Sequence, residues 1–306
     1  MIIRAAAAAV LLLSISVMAH DGAGRQSATG RGDYSNEISD FRKARLKELS
    51  GDDGWLSLAG LFWLKEGQNK VGTSPESDVV LPKEGAPSYT CSIWIENGKV
   101  RLEAPAESGI TIAGKPVTAL ALEDDLSGKP TVLNLGSLSF HVIKRNDKYG
   151  LRLKDKDSPV RANFKGIQYY PVDPSWRIEA RFEPCSPPKS IKIVNILGMA
   201  ADNPSPGAIV FSRNGQTFRL DPIGELSDKE LFVMLSDRTT GKETYHSGRY
   251  LYVQPPSADG KVVIDFNKAI NPPCAFTKFA TCPLPPPQNR LPIAVEAGEK
   301  YSGESH

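Results

Sequence analysis

The sequence lacks the short motifs that identify many enzymes. It contains no Gly-x-Ser-x-Gly, no His-Glu-x-x-His, no complete P-loop of the form Gly-x-x-x-x-Gly-Lys-Ser/Thr and no Gly-x-Gly-x-x-Gly. It has only four histidines, and His20 and His306 lie in terminal stretches that we expect to be flexible. A Ser–His–Asp arrangement would therefore need His141 or His246. His246 lies close in the sequence to a carboxylate, Asp237, but without a nucleophile motif an exposed loop histidine is the commoner case.

A strong excess of either charge is also missing. The chain has 37 Lys and Arg against 35 Asp and Glu, which gives a formal net charge of +2. Proteins that bind nucleic acids or anionic membrane surfaces carry concentrated basic patches. We therefore expect no nucleic-acid partner.

The first residues indicate export. Arg4 precedes an apolar run, 5–17, and Val17-Met18-Ala19 has the small residues of a signal-peptidase site. The run is short for a bilayer span and no stop-transfer pattern follows it. We predict a signal peptide over 1–19 and a periplasmic or extracellular protein with no membrane span after its removal. An uncleaved N-terminal anchor is the alternative.

The composition favours strands over helices, because glycine and proline are frequent, with 26 and 24 residues. One helix is clear, with Ile38, Phe41, Leu46 and Leu49 at helical spacing. Apolar and polar residues then alternate between turn signals such as Asn97-Gly98 and Asn214-Gly215. We predict a mainly β protein with one N-terminal helix and two β-sandwich or barrel-like units. The predicted ranges are a disordered linker at 20–33, the helix at 34–50, the first β unit at 54–156 and the second at 160–300.

The first β unit resembles a forkhead-associated (FHA) domain. The resembling residues are Gly72-Thr73, Asp78–Leu81, Ser88–Cys91 and the stretch from Ser108-Gly109 to Gly114-Lys115. FHA domains read phosphothreonine with an Arg after the first Gly, a His three residues after the Ser, and an Asn-Gly-Thr element. Here the first two positions hold Thr73 and Cys91, and the third element is missing. The resemblance implies a β-sandwich without the groups that bind phosphate.

The second β unit ends in an unusual segment, 265–299. It is dense in proline, which fixes φ and removes a hydrogen-bond donor, so an ordinary helix or central strand is excluded. Together with Gly54–Leu64, Asp237–Gly241 and Gly248-Arg249-Tyr250, this segment resembles the bacterial family named domain of unknown function 1684. No activity is established for that family, so the resemblance implies membership but no mechanism.

The four cysteines allow several states. Cys274 and Cys282 close the shortest loop, so we predict a disulfide between them, whereas Cys91 and Cys185 can be buried thiols. A zinc site that combines this pair with His246 and Asp237 is the alternative. The spacing is not that of a Cys-x-x-Cys knuckle and an oxidising compartment favours the disulfide. We therefore predict no cofactor and no metal.

Two hypotheses for function follow from segment 265–299. In the first, the segment binds a small polar or anionic ligand and is hydrolytic, with Asp265 or Glu299 as general acid/base. The ligand would then be held by Arg249, Asn267, Asn271, Asn289 and Arg290. In the second, the protein is a non-catalytic cell-envelope module that binds a ligand or an envelope protein, and these polar groups pin the segment by hydrogen bonds.

Overall fold

The structure is a computed structural model that describes residues 28–82 and 86–303. The predicted signal peptide, 1–19, and the first part of the predicted linker lie outside these ranges. No helix in the two ranges has both the length and the apolar character needed to cross a bilayer. As predicted, the protein is mainly β and carries an N-terminal helix.

The helices and strands follow one another in this order. In the described ranges the α-helices are α1 (Ala28–Ser50) and α2 (Pro159–Ala162). The strands are β1 (Leu58–Trp63), β2 (Gly67–Gly72), β3 (Val79–Val80), β4 (Cys91–Glu96), β5 (Lys99–Glu103), β6 (Thr111–Ile112), β7 (Lys115–Pro116), β8 (Ala119–Ala121), β9 (Leu133–Leu135), β10 (Leu138–Arg145), β11 (Lys148–Asp155), β12 (Arg177–Val194), β13 (Ala200–Arg213), β14 (Gln216–Leu220), β15 (Leu231–Leu235), β16 (Arg249–Val253) and β17 (Lys261–Asp265).

Helix α1 differs from its prediction in two respects. It begins at Ala28, so the described end of the predicted linker, 28–33, is helical. Ile38 and Leu49 are buried as expected, but Leu46 is 41% exposed and Arg45 is only 5% exposed. The buried stripe therefore includes a cation in place of one predicted apolar residue. The cause is a buried carboxylate in the second half of the chain, which forms an ion pair with this cation, as described below.

Two sheets form the first half. One has the order β1-β11-β10-β9-β6-β7 and the other the order β3-β2-β4-β5-β8. Their facing sides share one core, to which Ile93 and Leu102 contribute from one sheet and Phe140 and Leu151 from the other. The hairpin predicted at Asn97-Gly98 is present between β4 and β5. The outward face of β10 and β11 is turned toward the second half of the chain.

The second half is built on a long hairpin. Strands β12 and β13 pair along most of their length within a sheet of order β14-β13-β12-β17, and β15 pairs with β16 in a separate ribbon. The predicted hairpin at Asn214-Gly215 joins β13 to β14. Both sheets pack on one core that includes Phe211, Val233 and Phe266.

Segment 265–299 is irregular, as its prolines require. It contains three short 3-10 turns and touches the sheets through single bridges, such as Ile270 with Tyr250 and Pro283 with Asn195. It therefore runs over the second half and fills the space between that half and α1. Isolated backbone hydrogen bonds and side-chain contacts, and not a continuous strand ladder, hold it in place.

One glycine shows how tightly the segment is seated. Gly298 has φ of +80°, and a Cβ there would lie 2.5 Å from the Ala269 carbonyl oxygen. Gly114 has nearly the same φ, +78°, but no atom within 4 Å of its Cβ position. We expect Gly114→Ala to cost about 1–2 kcal/mol from backbone strain alone. Gly298→Ala should cost a further ~1–3 kcal/mol from the clash. Urea unfolding of both variants measures the difference, and equal losses would contradict the close packing.

Candidate functional site

The first predicted site residues join α1 to the start of the segment. The Tyr34 hydroxyl donates to both carboxylate oxygens of Asp265, at 2.8 and 3.0 Å. The Asn267 amide donates to Tyr34 Oη at 2.9 Å and to the Asp173 carbonyl at 2.8 Å. Burial and the neighbouring Asp265 raise the pKa of Tyr34, so its hydroxyl stays protonated and donates. Asp265 also lines a polar groove of about 610 Å³.

Glu299 is the partner of the buried helix cation. Its Oε1 accepts a hydrogen bond from Arg45 Nε at 3.2 Å. Its Oε2 accepts a hydrogen bond from the backbone N–H of Asn271 at 2.6 Å. Glu299 is completely buried. Burial raises the pKa of this carboxyl, while Arg45 acts in the opposite direction. The Asn271 side chain donates to the Lys300 carbonyl at 3.0 Å, and its Oδ1 is buried without a partner.

Arg249 binds groups of the chain itself. Its guanidinium donates to Asp237 Oδ2 at 2.6 Å and to the carbonyl oxygens of Val295, at 2.8 Å, and Ala297. The two charged side chains are 1% and 0% exposed. The other oxygen of Asp237 accepts from the backbone and hydroxyl of Thr239. This ion pair thus fixes the last part of the segment, where Gly298 is seated.

The two remaining predicted residues differ in exposure. Asn289 is fully buried, and its amide bonds to the backbone of Asp221 and to the Met234 carbonyl at 2.7–2.9 Å. Arg290 is exposed at the edge of a shallow depression that His246 also lines. Asp265, Glu299 and Arg290 therefore do not face one common cavity. The contacts of the buried members are those that the second hypothesis describes, in which polar groups pin the segment.

The cysteine pair differs from the prediction. All four cysteines are free thiols, so the predicted Cys274–Cys282 bond is not formed in the structure. The two residues nevertheless touch, because the Cys274 amide donates to Cys282 Sγ at 3.1 Å. Over the ranges described, no three His, Cys, Asp or Glu side chains are grouped so that they could hold a metal. Asp237, considered as a zinc ligand, is occupied by Arg249.

The main cavity lies where the two halves meet, and the sequence analysis missed it. It has a volume of about 670 Å³, within the usual range for small-molecule sites. Helix α1, strands β10 and β11, the β15–β16 ribbon and segment 265–299 form its walls. The walls combine five aromatic side chains with six polar or charged ones: Phe41, Trp55, Phe232, Tyr250, Tyr252, Arg45, Glu48, Arg145, Arg152, Thr281 and Cys282.

Arg152 is the unusual member of this lining. It is 7% exposed, its Nε is buried without a partner, and its guanidinium forms no hydrogen bond or ion pair with any described residue. Its only close polar contact is with the ring of Trp55, whose centroid lies 5.4 Å from Arg152 Cζ. Burial, followed by the nearby cation Arg145, lowers the pKa of Arg152 to about 10. The side chain is thus a buried cation at neutral pH.

The other cations of the cavity have counterions. Arg145 donates to Asp125 Oδ2 at 2.7 Å, and its Nε donates to Thr281 Oγ1 at 3.2 Å, which links the two halves. Arg45 is paired with Glu299. Each of these charges is balanced inside the protein. Arg152 is the lining arginine that has no ion-pair partner among the described residues, and the carboxylate of the lining, Glu48, lies beside Arg45.

His141 lies opposite Arg152 in the β10–β11 pair. Burial first, then Arg152, Lys154 and Arg145, lower its pKa to about 4, while Asp125 acts in the opposite direction. His141 is therefore neutral at neutral pH. The positive charges on this side of the first half are therefore those of Arg145, Arg152 and Lys154.

This shift predicts a pH dependence of stability. Between pH 6.5 and 4 the unfolded chain binds a proton at His141 and the folded chain does not, so stability falls as pH falls through this window. We expect a loss of about 1–3 kcal/mol, since solvent at this half-buried ring reduces the full effect. His141→Gln should lack this part of the loss. Urea unfolding of both proteins at pH 7 and 4.5 measures it, and identical pH profiles would contradict the assignment.

Comparisons with known proteins give the following. Residues 162–300 match the family model described as protein of unknown function (DUF1684). An uncharacterised protein of Haloarcula marismortui, solved by NMR, is 32% identical, covering 47% of this chain and 81% of its own, with a TM-score of 0.40. An FHA-2 domain of a Mycobacterium tuberculosis ABC transporter is 19% identical, covering 29% and 77%, with a TM-score of 0.23. No curated protein matches. The family match covers the second half and the whole of segment 265–299, and the chain therefore belongs to the DUF1684 family.

Proposed function

We propose that the protein binds a small organic anion in the cavity between its two halves. The observation that carries this proposal is the unpaired guanidinium of Arg152 at the cavity wall. A buried charge without a counterion is costly, and folded proteins normally pair such a charge. A bound anion supplies the missing partner.

The charge balance of the cavity indicates the ligand charge. Arg45 is paired with Glu299 and, at 3.6 Å, with Glu48. Arg145 is paired with Asp125, which leaves Arg152 as the lining arginine without a counterion. One negative charge on the ligand supplies that counterion. A monocarboxylate satisfies this condition and matches the planar donor face of a guanidinium.

The walls indicate what the rest of the ligand is made of. Phe232 and Tyr252 stack with ring centroids 5.3 Å apart, and Tyr250 meets Phe232 edge to face at 4.8 Å. Tyr252 is 53% exposed and stands at the mouth. Aromatic surfaces of this kind bury apolar groups and stack on rings. The ligand therefore combines a carboxylate with an apolar or aromatic body.

Binding, and not hydrolysis, is the role that the lining supports. Glu48 is the single carboxylate among the lining residues, and it is 65% exposed at its side chain and 3.6 Å from Arg45. Asp265 and Glu299 accept hydrogen bonds from the protein itself and do not line this cavity. The hydrolytic hypothesis for these two carboxylates stays a prediction. Activity that Asp265→Asn removes without loss of stability would support it.

The proposal is tested by calorimetric titration with matched ligands. The probes are octanoate and 3-phenylpropionate, each compared with its neutral amide. We expect each acid to bind at least ~10-fold more tightly than its amide, since hydrogen bonds to a charged group are worth about 1.5–3 kcal/mol. Arg152→Met should remove this preference. Arg101→Met is the control, because Arg101 also covers a tryptophan ring, Trp94, but lies outside the cavity. Equal affinity for acid and amide would contradict the proposal.

We further propose that the mature protein works outside the cytoplasm. The support is the predicted signal peptide over 1–19, with its small residues before His20. N-terminal sequencing of the full-length gene product, recovered from a periplasmic fraction, should give a chain that starts near His20. A chain that keeps Met1 in the cytoplasmic fraction would contradict export.

A further inference from the structure

The structure assigns Cys274 and Cys282 as a reversible redox pair, in which Cys274 attacks the oxidant and Cys282 resolves the intermediate. Cys282 also lines the cavity proposed to bind the anion, but the redox role does not depend on that ligand. The redox role goes beyond a structural disulfide, because it gives the two sulfurs different tasks and requires both thiol and disulfide forms.

The chain holds the two cysteines next to each other. The Cys274 amide nitrogen lies 3.1 Å from Cys282 Sγ, which places that sulfur within a side-chain length of the Cys274 Cα atom. Both backbones are anchored by tyrosine hydroxyls. Tyr245 donates to the Cys274 carbonyl at 2.8 Å, and Tyr250 donates to the carbonyl of Pro283, next to Cys282, at 2.7 Å. A disulfide can therefore form without moving the sheets.

The two thiols differ in access and in acidity. Cys282 is 4% exposed, whereas Cys274 is partly exposed. The hydrogen bond from Cys282 lowers the pKa of Cys274, and Tyr245 acts in the same direction, against burial. The pairing with Cys274, followed by burial, raises the pKa of Cys282, while the Cys274 backbone N–H and the Tyr250 hydroxyl act in the opposite direction. The accessible sulfur is thus the one that ionises first, which is the arrangement of an attacking and a resolving cysteine.

Hydrogen peroxide is the oxidant for the conversion of the two thiols to a disulfide. The Cys274 thiolate attacks one peroxide oxygen, an S–O bond forms, the O–O bond breaks and hydroxide leaves, which takes up a proton to become water. The product at Cys274 is a sulfenic acid. Cys282 sulfur then attacks Cys274 sulfur, the S–S bond forms and the oxygen leaves as a second water with the Cys282 proton. The pair loses two electrons and peroxide gains two. A dithiol reductant reverses the change.

The other two cysteines are internal controls. Cys185 is partly exposed like Cys274, and no thiol adjoins it. Cys91 is completely buried, and burial raises the pKa of its thiol to about 12. If exposure alone decided reactivity, Cys185 and Cys274 would react alike. The assignment predicts that they do not.

The first measurement uses the unaltered reduced protein. It is treated with one equivalent of hydrogen peroxide, quenched with N-ethylmaleimide and analysed by peptide mass spectrometry. We expect an intramolecular bond between Cys274 and Cys282, reversed by dithiothreitol, with Cys185 and Cys91 unoxidised. In the reduced protein at pH 7, iodoacetamide should modify Cys274 at least ~5-fold faster than Cys185, because the thiolate is the nucleophile. Equal rates at the two residues, or no bond between Cys274 and Cys282, would overturn the assignment.

Two variants then test which sulfur attacks. In Cys282→Ser, peroxide should leave a sulfenic acid on Cys274, which dimedone traps. In Cys274→Ser, dimedone should label Cys282 at least ~10-fold less, since that thiol is buried and protonated. The reverse pattern would overturn the assignment of roles. The alkylation rates of the unaltered protein decide the question if either variant does not fold.

Discussion

Replacing Arg249 with methionine is expected to lower the free energy of unfolding by about 3–5 kcal/mol. The substitution leaves the Asp237 carboxylate buried, at 0% exposure, without its cation. It also removes the donors that Val295 and Ala297 use to hold the end of segment 265–299. Urea unfolding followed by tryptophan fluorescence measures the loss. The control is Arg290→Met, an exposed arginine of the same segment, which should change stability by less than about 0.5 kcal/mol.

A second substitution separates lost contacts from the orphaned charge. Adding Asp237→Asn to Arg249→Met removes the uncompensated carboxylate and keeps an acceptor for Thr239. We expect the double variant to be more stable than Arg249→Met alone, since most of the cost of breaking a buried pair is the charge left behind. If Arg249→Met were as stable as the unaltered protein, Arg249 would be free to serve a ligand, as the sequence analysis proposed.

Local patterns predicted much of the fold because they depend on neighbours in the chain. The Asn-Gly pairs at 97–98 and 214–215 impose a positive φ that suits two-residue hairpin turns, and both hairpins are present. Proline density excluded a regular ladder over 265–299, and that segment is irregular. These inferences needed no knowledge of which parts of the chain pack together.

Helix α1 shows the limit of what local sequence patterns can predict. Helical spacing allowed Leu46 as a core residue, but Arg45 takes the inward position and Leu46 is exposed. The deciding group is Glu299, which lies 254 residues away in the sequence and pairs with Arg45. An apolar pattern cannot reveal such a distant partner. The same limit applies to the start of α1 at Ala28, which composition alone assigned to a linker.

The candidate site was hidden for a related reason. The polar residues predicted to form a site came from one unusual segment, and most of them are buried. A sequence does not show whether a buried polar group contacts a ligand or the backbone of the chain itself. Asn289 bonds only to backbone groups. Arg152, by contrast, lies in an ordinary alternating strand, and nothing in that strand indicates that its guanidinium has no partner. The cavity exists only because the two halves pack together.

Arg152→Met is expected to have the opposite effect to Arg249→Met and to raise the free energy of unfolding by about 1–3 kcal/mol. The pKa of Arg152 is lowered to about 10, so the folded state disfavours the charged form, and this cost is present at every pH below that value. Methionine keeps the apolar length of the side chain and removes the buried charge. Loss of the contact with Trp55 offsets part of the gain, by about 0.5–1 kcal/mol.

The same measurement, repeated with ligand, connects this stability gain to function. A carboxylate at 100 times its Kd should stabilise the unaltered protein by ~2.7 kcal/mol, and a tenfold loss of affinity would reduce this gain to ~1.4 kcal/mol in Arg152→Met. A side chain that destabilises the folded protein without ligand and stabilises it with ligand belongs to a binding site. If Arg152→Met instead loses stability as Arg249→Met does, the guanidinium has a structural partner within the protein, and the cavity has no unbalanced charge for an anion to meet.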